Sequence, residues 1–318
     1  MLSDEFFSPS EITTSNISSL STDQALISER RICEIAELAD EAVRFSLELA
    51  EVGVDSFDTL SVIADGYPSV EFGLPENALK DNSKRLEYIL SSFSVMDKAH
   101  FADIYTELLA KAGKKLNEGV FLPEVLTEET FVYVKNMYAD EAYDVFSQEF
   151  SDPRVRYAGS LREAVKMVSD KEVSYCILPL EEGGARLSSV TELLYRSELK
   201  INSVIPVFGM DADADVKYAL VSRNFNIPKR DKGDDRYLEI RIPTDSGVGL
   251  SDILFACCSY GVNVYRVNTL TFKTLGEQKG YYSVVFCGED VDFTALLVFL
   301  TLFVPEYTAV GIYKNLEL

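Results

Sequence analysis

Residues 245–272 read DSGVGLSDILFACCSYGVNVYRVNTLTF, and this stretch decides how the last quarter of the chain folds. Gly247 and Gly249 break the extended run before them. Apolar residues then recur at helical spacing, which predicts a helix over Gly247–Tyr260. The β-branched and aromatic segment Val262–Phe272 predicts a strand. Outward on both sides the periods stay legible. Tyr237–Ile242, Tyr281–Cys287 and Thr308–Tyr313 read as strands, and Asp292–Phe303 as a helix. The order is strand, helix, strand, strand, helix, strand. Alternation puts one sheet face on two helices and leaves the other more open.

Upstream, KRDKGDD at 229–235 is the best linker in the chain. Before it, strands alternate with helices. Strands are expected at Thr130–Val134, Val155–Ala158, Ser174–Leu178, Lys200–Phe208 and Lys217–Ser222. Helices are expected at Ala139–Phe150, Leu161–Val168 and Ser189–Arg196. Ser160 caps the second, with Glu163 completing a capping box. A polar bend, Glu181-Glu182-Gly183-Gly184, leads into the third. Alternation at this length predicts a largely parallel sheet flanked by helices. The N-terminal third is helical, with runs at Gln24–Glu51, Asn77–Ser92 and Asp97–Leu116. Residues 1–24, rich in Ser and Thr, read as a flexible or loosely docked tail.

The totals narrow the function classes. A net charge of −22 disfavours free nucleic acid and anionic membrane surfaces as partners. The most apolar run, Ala295–Val304, is too short to span a bilayer, and the first ten residues lack the pattern of a secretion signal. A cytoplasmic protein is expected. The five cysteines form no C-x-x-C pair and read as reduced thiols, four of them in core segments. With His100 the single histidine, no metal site and no cofactor is expected. In the first long helix, Arg31 with Glu34 and Glu41 with Arg44 read as surface pairs.

The 245–272 segment resembles an ACT domain of the kind attached to prephenate dehydratases. The family's Pro-x-x-x-Gly-Ala-Leu turn has its counterpart in Pro243 through Gly247-Val248-Gly249-Leu250, and its Gly-Ile-Asn in Gly261-Val262-Asn263. The resemblance implies a ferredoxin-like domain that pairs with its copy in a homodimer and binds a small amino acid or carboxylate near the turn. Asp245, Ser246, Gly247, Val248, Gly249, Leu250 and Asn263 are the implied binding residues. Glycines admit a ligand to the backbone, and free amides at a helix N-terminus can hold a carboxylate. The same glycines also suit a tight turn with no ligand, so both readings stand. The family's Glu-Ser-Arg-Pro is replaced by Asn268-Thr269-Leu270-Thr271, which argues against a phenylalanine response like the family's.

Residues 130–224 are similar to the catalytic domain of prephenate dehydratases, through SLREAVKMVSDKEVSYCILPLEE (160–182), TELLYRSELKINSVIPV (191–207) and VKYALVSR (216–223). The functional positions depart from the pattern. Glu182 and Gly183 stand where Asn and Ser are expected, and Val216-Lys217-Tyr218 replaces Thr-Arg-Phe. Lys135-Asn136-Met137-Tyr138 stands in place of the Gly-rich loop after the first strand. Only Gly209–Asp215 separates two strands between which the family builds a second lobe.

The expected architecture is therefore α+β and multidomain: a tail (1–24), a helical domain (25–120), a one-lobe, periplasmic-binding-protein-like α/β domain (128–228) and an ACT domain (235–318). The expected function is non-catalytic sensing of an amino acid or small carboxylate, with Lys135, Gly183, Gly184 and Arg186 as further anion-binding candidates. The alternative is an active prephenate dehydratase converting prephenate to phenylpyruvate, with Glu181, Glu182 and Lys217 as its catalytic candidates.

Overall fold

The computed structural model describes residues 14–65, 76–124, 128–208, 215–230, 233–274, 277–304 and 306–316. Residues 1–13 of the expected tail and the acidic turn at 209–214 lie outside the described residues. Residues 14–24 are a correction. They belong to α1 (Thr14–Glu51), because the helical run extends back through the Ser- and Thr-rich segment that composition marked as tail.

The helical unit continues with α2 (Ser56–Asp65), α3 (Glu76–Ser91), α4 (Val95–Lys111) and the short α5 (Glu118–Phe121). On α1, Ile35, Ala39, Ala42, Phe45 and Leu49 are buried, the three- and four-residue spacing of one helix face. A hydroxyl contact of 2.8 Å between Ser46 and Tyr105 joins α1 to α4. Ser94 and Asp97 form a reciprocal capping box at the start of α4. That helix ends at Lys111 rather than at Leu116 because Gly113 turns left-handed, with φ +85°, just past its end. Arg31 pairs with Glu34 as expected, at 3.1 Å. Arg44 pairs with Asp40 instead of Glu41, which reaches Arg85 on α3.

The next unit comprises β1 (Thr130–Tyr133), α6 (Met137–Phe146), β2 (Arg154–Tyr157), α7 (Leu161–Ser169), β3 (Tyr175–Glu182), β4 (Ala185–Arg186), α8 (Ser188–Ser197), β5 (Lys200–Phe208) and β6 (Asp215–Ser222). The last contains β7 (Asp235–Pro243), α9 (Leu250–Ser259), β8 (Asn263–Thr274), β9 (Glu277–Glu289), α10 (Thr294–Phe303) and β10 (Thr308–Lys314). It has the βαββαβ order read from the sequence, with strand order β10-β7-β9-β8 and antiparallel pairing throughout.

Both units share one sheet, ordered β2-β1-β3-β6-β5-β10-β7-β9-β8, with β4 beside β3. They join where β10 runs parallel to β5 at Gly311 and Ile201. A side chain at Gly311 would collide with the Ile201 backbone, so glycine permits this close approach. The sheet is mixed rather than largely parallel. β1 pairs parallel with β2 and β3, but β6 returns antiparallel between β3 and β5. The cause is the short connection: Phe208 pairs with Asp215, leaving only residues 209–214 between the strands.

Helices α6, α9 and α10 lie on one face of the sheet, and α7 and α8 on the other. The helical unit packs on α9 and α10 through α2 and α4. It thus forms a third layer over the C-terminal strands and does not stand over the ends of β1 and β3. Helix α10 is apolar on all sides because it is enclosed between sheet and helices. A buried ion pair pins the layers. Arg236 of β7 donates to both carboxylate oxygens of Glu118, at 2.9 and 2.7 Å, and to the Val291 carbonyl at 2.7 Å. The Phe293 amide donates to the same carboxylate at 3.0 Å.

Candidate functional site

The catalytic candidates sit on a hairpin. Glu182 pairs with Ala185 across a two-residue turn in which Gly183 and Gly184 both have positive φ, +56° and +76°. That is the chemistry of a type I′ hairpin turn, which favours a glycine pair. The strand leading into it carries a bulge. Pro179 pairs with Tyr218 and Glu181 with Lys217, so Leu180 is the extra residue. Strict alternation would send Glu181 towards α6. The bulge returns it to the α8 side, with Lys217 opposite it.

A second bulge acts in concert. On β8, Val264 pairs with Phe286 and Arg266 with Val285, leaving Tyr265 extra. Arg266 is thereby turned onto the same face. Its guanidinium donates to Glu181 at 2.5 and 3.2 Å. Arg186 reaches Glu181 at 3.2 Å and also donates to Glu239 of β7. Lys217 stands 3.8 Å from Glu181, and the Ser283 hydroxyl donates to Glu239 at 3.1 Å. Two carboxylates thus meet three cations. The Glu181 and Glu239 side chains are only 7% and 5% exposed, so the carboxylates are nearly shut off from solvent, while Lys217 and Arg266 keep part of their side chains in it. Burial pushes the Arg186 guanidinium down, but the Glu239, Tyr313 and Glu181 charges more than reverse it and hold it above the ordinary arginine value. Burial also drives the Tyr313 hydroxyl, next to the cluster, far above the ordinary tyrosine value.

Aromatic packing closes the neighbouring part of this face. Tyr195 of α8 stacks on Phe272 at 4.2 Å, its hydroxyl lies 2.9 Å from that of Tyr281, and Arg241 stands over its ring at 4.3 Å. The face expected to be open is therefore covered by α8 and the β3–β4 hairpin. Of the outlying candidates, Glu182 is exposed beside the turn, and Lys135 is exposed with its ammonium over the Tyr157 ring at 4.9 Å. The structure brings together Glu181, Lys217 and Arg186. It adds Glu239, Arg266 and Ser283, which the sequence reading missed. Glu239 had a signal: it alternates with Leu238 and Ile240, a charge on the face opposite two core residues.

The glycine turn is built differently. Between β7 and α9, Asp245, Gly247 and Gly249 are exposed, and Ser246, Val248 and Leu250 half-buried. The Ser246 amide donates to the Pro243 carbonyl at 3.2 Å, and Gly249 is the N-cap of α9 with no side-chain cap bond. Neither glycine has positive φ, and a side-chain carbon at Gly247 would meet nothing within 4 Å. Backbone conformation therefore does not demand glycine at 247, whereas open backbone there leaves room for another molecule. Asn263 is exposed at the start of β8, the edge strand, which also exposes Val264, Tyr265 and Val267.

All five cysteines are free. Only Cys176 and Cys257 are buried, fewer than the four expected in core segments; Cys287 is half-buried, and Cys33 and Cys258 are exposed. Among the described residues no cluster of His, Cys, Asp and Glu could hold a metal ion, and no helix is long and apolar enough to cross a membrane.

No protein-family model and no curated protein matches the chain. Solved structures do. The X-ray structure of prephenate dehydratase from Streptococcus mutans aligns over 59% of this chain and 99% of its own, with 14% identity and a TM-score of 0.48. GqqA, described as a novel type of quorum quenching acylase, aligns over 59% and 96%, with 17% identity and a TM-score of 0.44. Prephenate dehydratase from Arthrobacter aurescens, in complex with L-Phe, aligns over 58% and 89%, with 15% identity and a TM-score of 0.43.

Proposed function

We propose that this chain is a non-catalytic binding protein. Its C-terminal unit is read as an ACT-type sensor that takes an amino acid or small carboxylate at the turn 245–250. The observation that carries the reading is the state of Glu181. Its carboxylate is held by Arg186, Arg266 and Lys217, and only 7% of the side chain is exposed. General acid–base work needs a group within hydrogen-bonding reach of substrate, and this carboxylate is saturated by its own chain.

The turn supports the binding half of the reading. Gly247 faces open space, and the first turn of α9 has no side-chain cap bond at Gly249, which suits a carboxylate meeting the Leu250 and Ser251 amides; the Asp252 amide already donates to the Gly249 carbonyl at 3.0 Å. The exposed edge of β8, with Val264, Tyr265 and Val267 at 37–45% exposure, suits pairing with a second copy, the homodimer such a sensor would form.

Isothermal titration of the full chain with each of the amino acids and with small carboxylates tests this. At least one should bind, and Gly247→Ala should weaken it. No heat from any of them at millimolar concentration removes the sensor. Phenylpyruvate formation from prephenate, lost in Glu181→Gln, removes the claim that the chain is non-catalytic.

A further inference from the structure

A cleft of about 440 Å³ opens where the helical unit meets the sheet, far along the sequence from the turn. That volume falls in the range of roughly 300–1,000 Å³ typical of small-molecule sites. Its walls are aromatic: Phe57 of α2, Phe121 of α5, Phe225 after β6 and Tyr307 before β10. The polar groups are few. They are the Lys200 ammonium at the start of β5 and the hydroxyls of Ser61, Thr308 and Thr301, the last 3.2 Å from that of Tyr307.

Lys200 is the unusual member. Its ammonium donates to the Ala309 carbonyl at 2.9 Å and stands 5.1 Å from the centre of the Phe225 ring. An ammonium carries three N–H donors, so this one has capacity to spare. Among the described residues no carboxylate pairs with it, and none lines the cleft. Burial pushes its proton affinity below the ordinary lysine value, and the charge of Arg241 adds to that, with Glu198 opposing. Half-buried cations are ordinarily paired. Here no carboxylate among the described residues is within ion-pair distance, and Glu198 acts on the ammonium only through its charge.

We propose that this cleft binds a small organic monocarboxylic acid with an aromatic or branched apolar body, its carboxylate on Lys200 and its body among Phe57, Phe121 and Phe225. The chemistry narrows the class. A dicarboxylate would bury its second charge against aromatic rings. An amino acid would bring its ammonium towards Lys200 with no acid to receive it. The turn's class, an amino acid or small carboxylate, overlaps this one, but the two sites are separate and Gly247→Ala tells them apart, so the inference does not rest on the sensor reading. Because the cleft is walled by α2, α5 and the starts of β5 and β10, an occupant would fasten the helical unit to the sheet.

The test is calorimetric titration of the full chain with 3-phenylpropionate and, separately, with its uncharged analogue 3-phenylpropionamide. The acid should bind about tenfold or more tightly than the amide, the margin of one charge-assisted hydrogen bond. Lys200→Met should abolish that margin. Ser61→Trp, which fills the cleft from its rim without touching Lys200, should block the acid, whereas Gly247→Ala should leave it unchanged. Equal affinity for acid and amide in the unaltered chain overturns the proposal. So does silence from the acid at about 10 mM, or binding that survives Ser61→Trp in folded protein.

Discussion

Two regions of this molecule carry the residue types that bind or transform small acids, and they are built in opposite ways. The network around Glu181 and Glu239 has charges in abundance and its carboxylates are buried. The turn at 245–250 has open backbone and no cation of its own, with exposed glycines, the exposed acid Asp245 and a start of α9 that has no side-chain cap bond. Residue type alone would have ranked them the other way. Whether a group acts on a ligand or on its own chain depends on what satisfies it. In the network both carboxylates are answered from within, across the hairpin β3–β4 and strands β6, β7 and β8. In the turn the backbone is answered only in part, with the Ser246 and Asp252 amides donating to the Pro243 and Gly249 carbonyls.

That contrast can be broken most forcefully at Glu181. Glu181→Ala would leave Arg186, Arg266 and Lys217 sharing one remaining acid, and should cost about 3–5 kcal/mol of stability in urea unfolding. If Glu181 served chemistry rather than structure, the substitution would leave the unfolding midpoint nearly unmoved. Arg236→Met gives the scale for a second buried pair. It strips Glu118 of its cation and should cost about 3 kcal/mol by the same measurement.

Lys217→Met is the finer probe within the network. Its ammonium is 3.8 Å from Glu181 and 21% exposed, so the loss should stay below about 1 kcal/mol. A loss as large as that at Glu181 would mean that Lys217 is a full member of the cluster. The smallest effect on stability is expected at the turn. Gly247→Ala meets open space and no positive φ, so unfolding should shift by less than about 0.5 kcal/mol. Amino-acid affinity should nevertheless fall about tenfold, read by titration. A variant that unfolds readily would make the glycine a demand of the turn itself.

The C-terminal unit was legible because every element announces itself locally. Tyr237–Ile242 alternates, Gly261 stops a helix, and the strands follow in order. The βαββαβ path needed no long-range information. The network was not legible, for a physical reason. Leu180 and Tyr265 are single extra residues in their strands, invisible as composition, yet each reverses which face the following side chain takes. A pattern reader assuming strict alternation sends Glu181 and Arg266 to the wrong sides. The bonds also span the chain: Arg266 meets Glu181 from 85 residues away and Arg186 meets Glu239 from 53, where no short-range spacing links them. The glycine pair 183–184 did carry its own signal, for a hairpin turn as much as for an anion. The start of α1 was hidden because Ser and Thr, neutral in a helix, resemble a tail.

The most direct measurement is hydrogen exchange by mass spectrometry on the full chain, with and without saturating amino acids supplied as a mixture. The account predicts slowed exchange over 244–252, with the amides of 179–186 and 216–218 unchanged. Slowing confined to 179–186 and 216–218, with the turn unaffected, would contradict it.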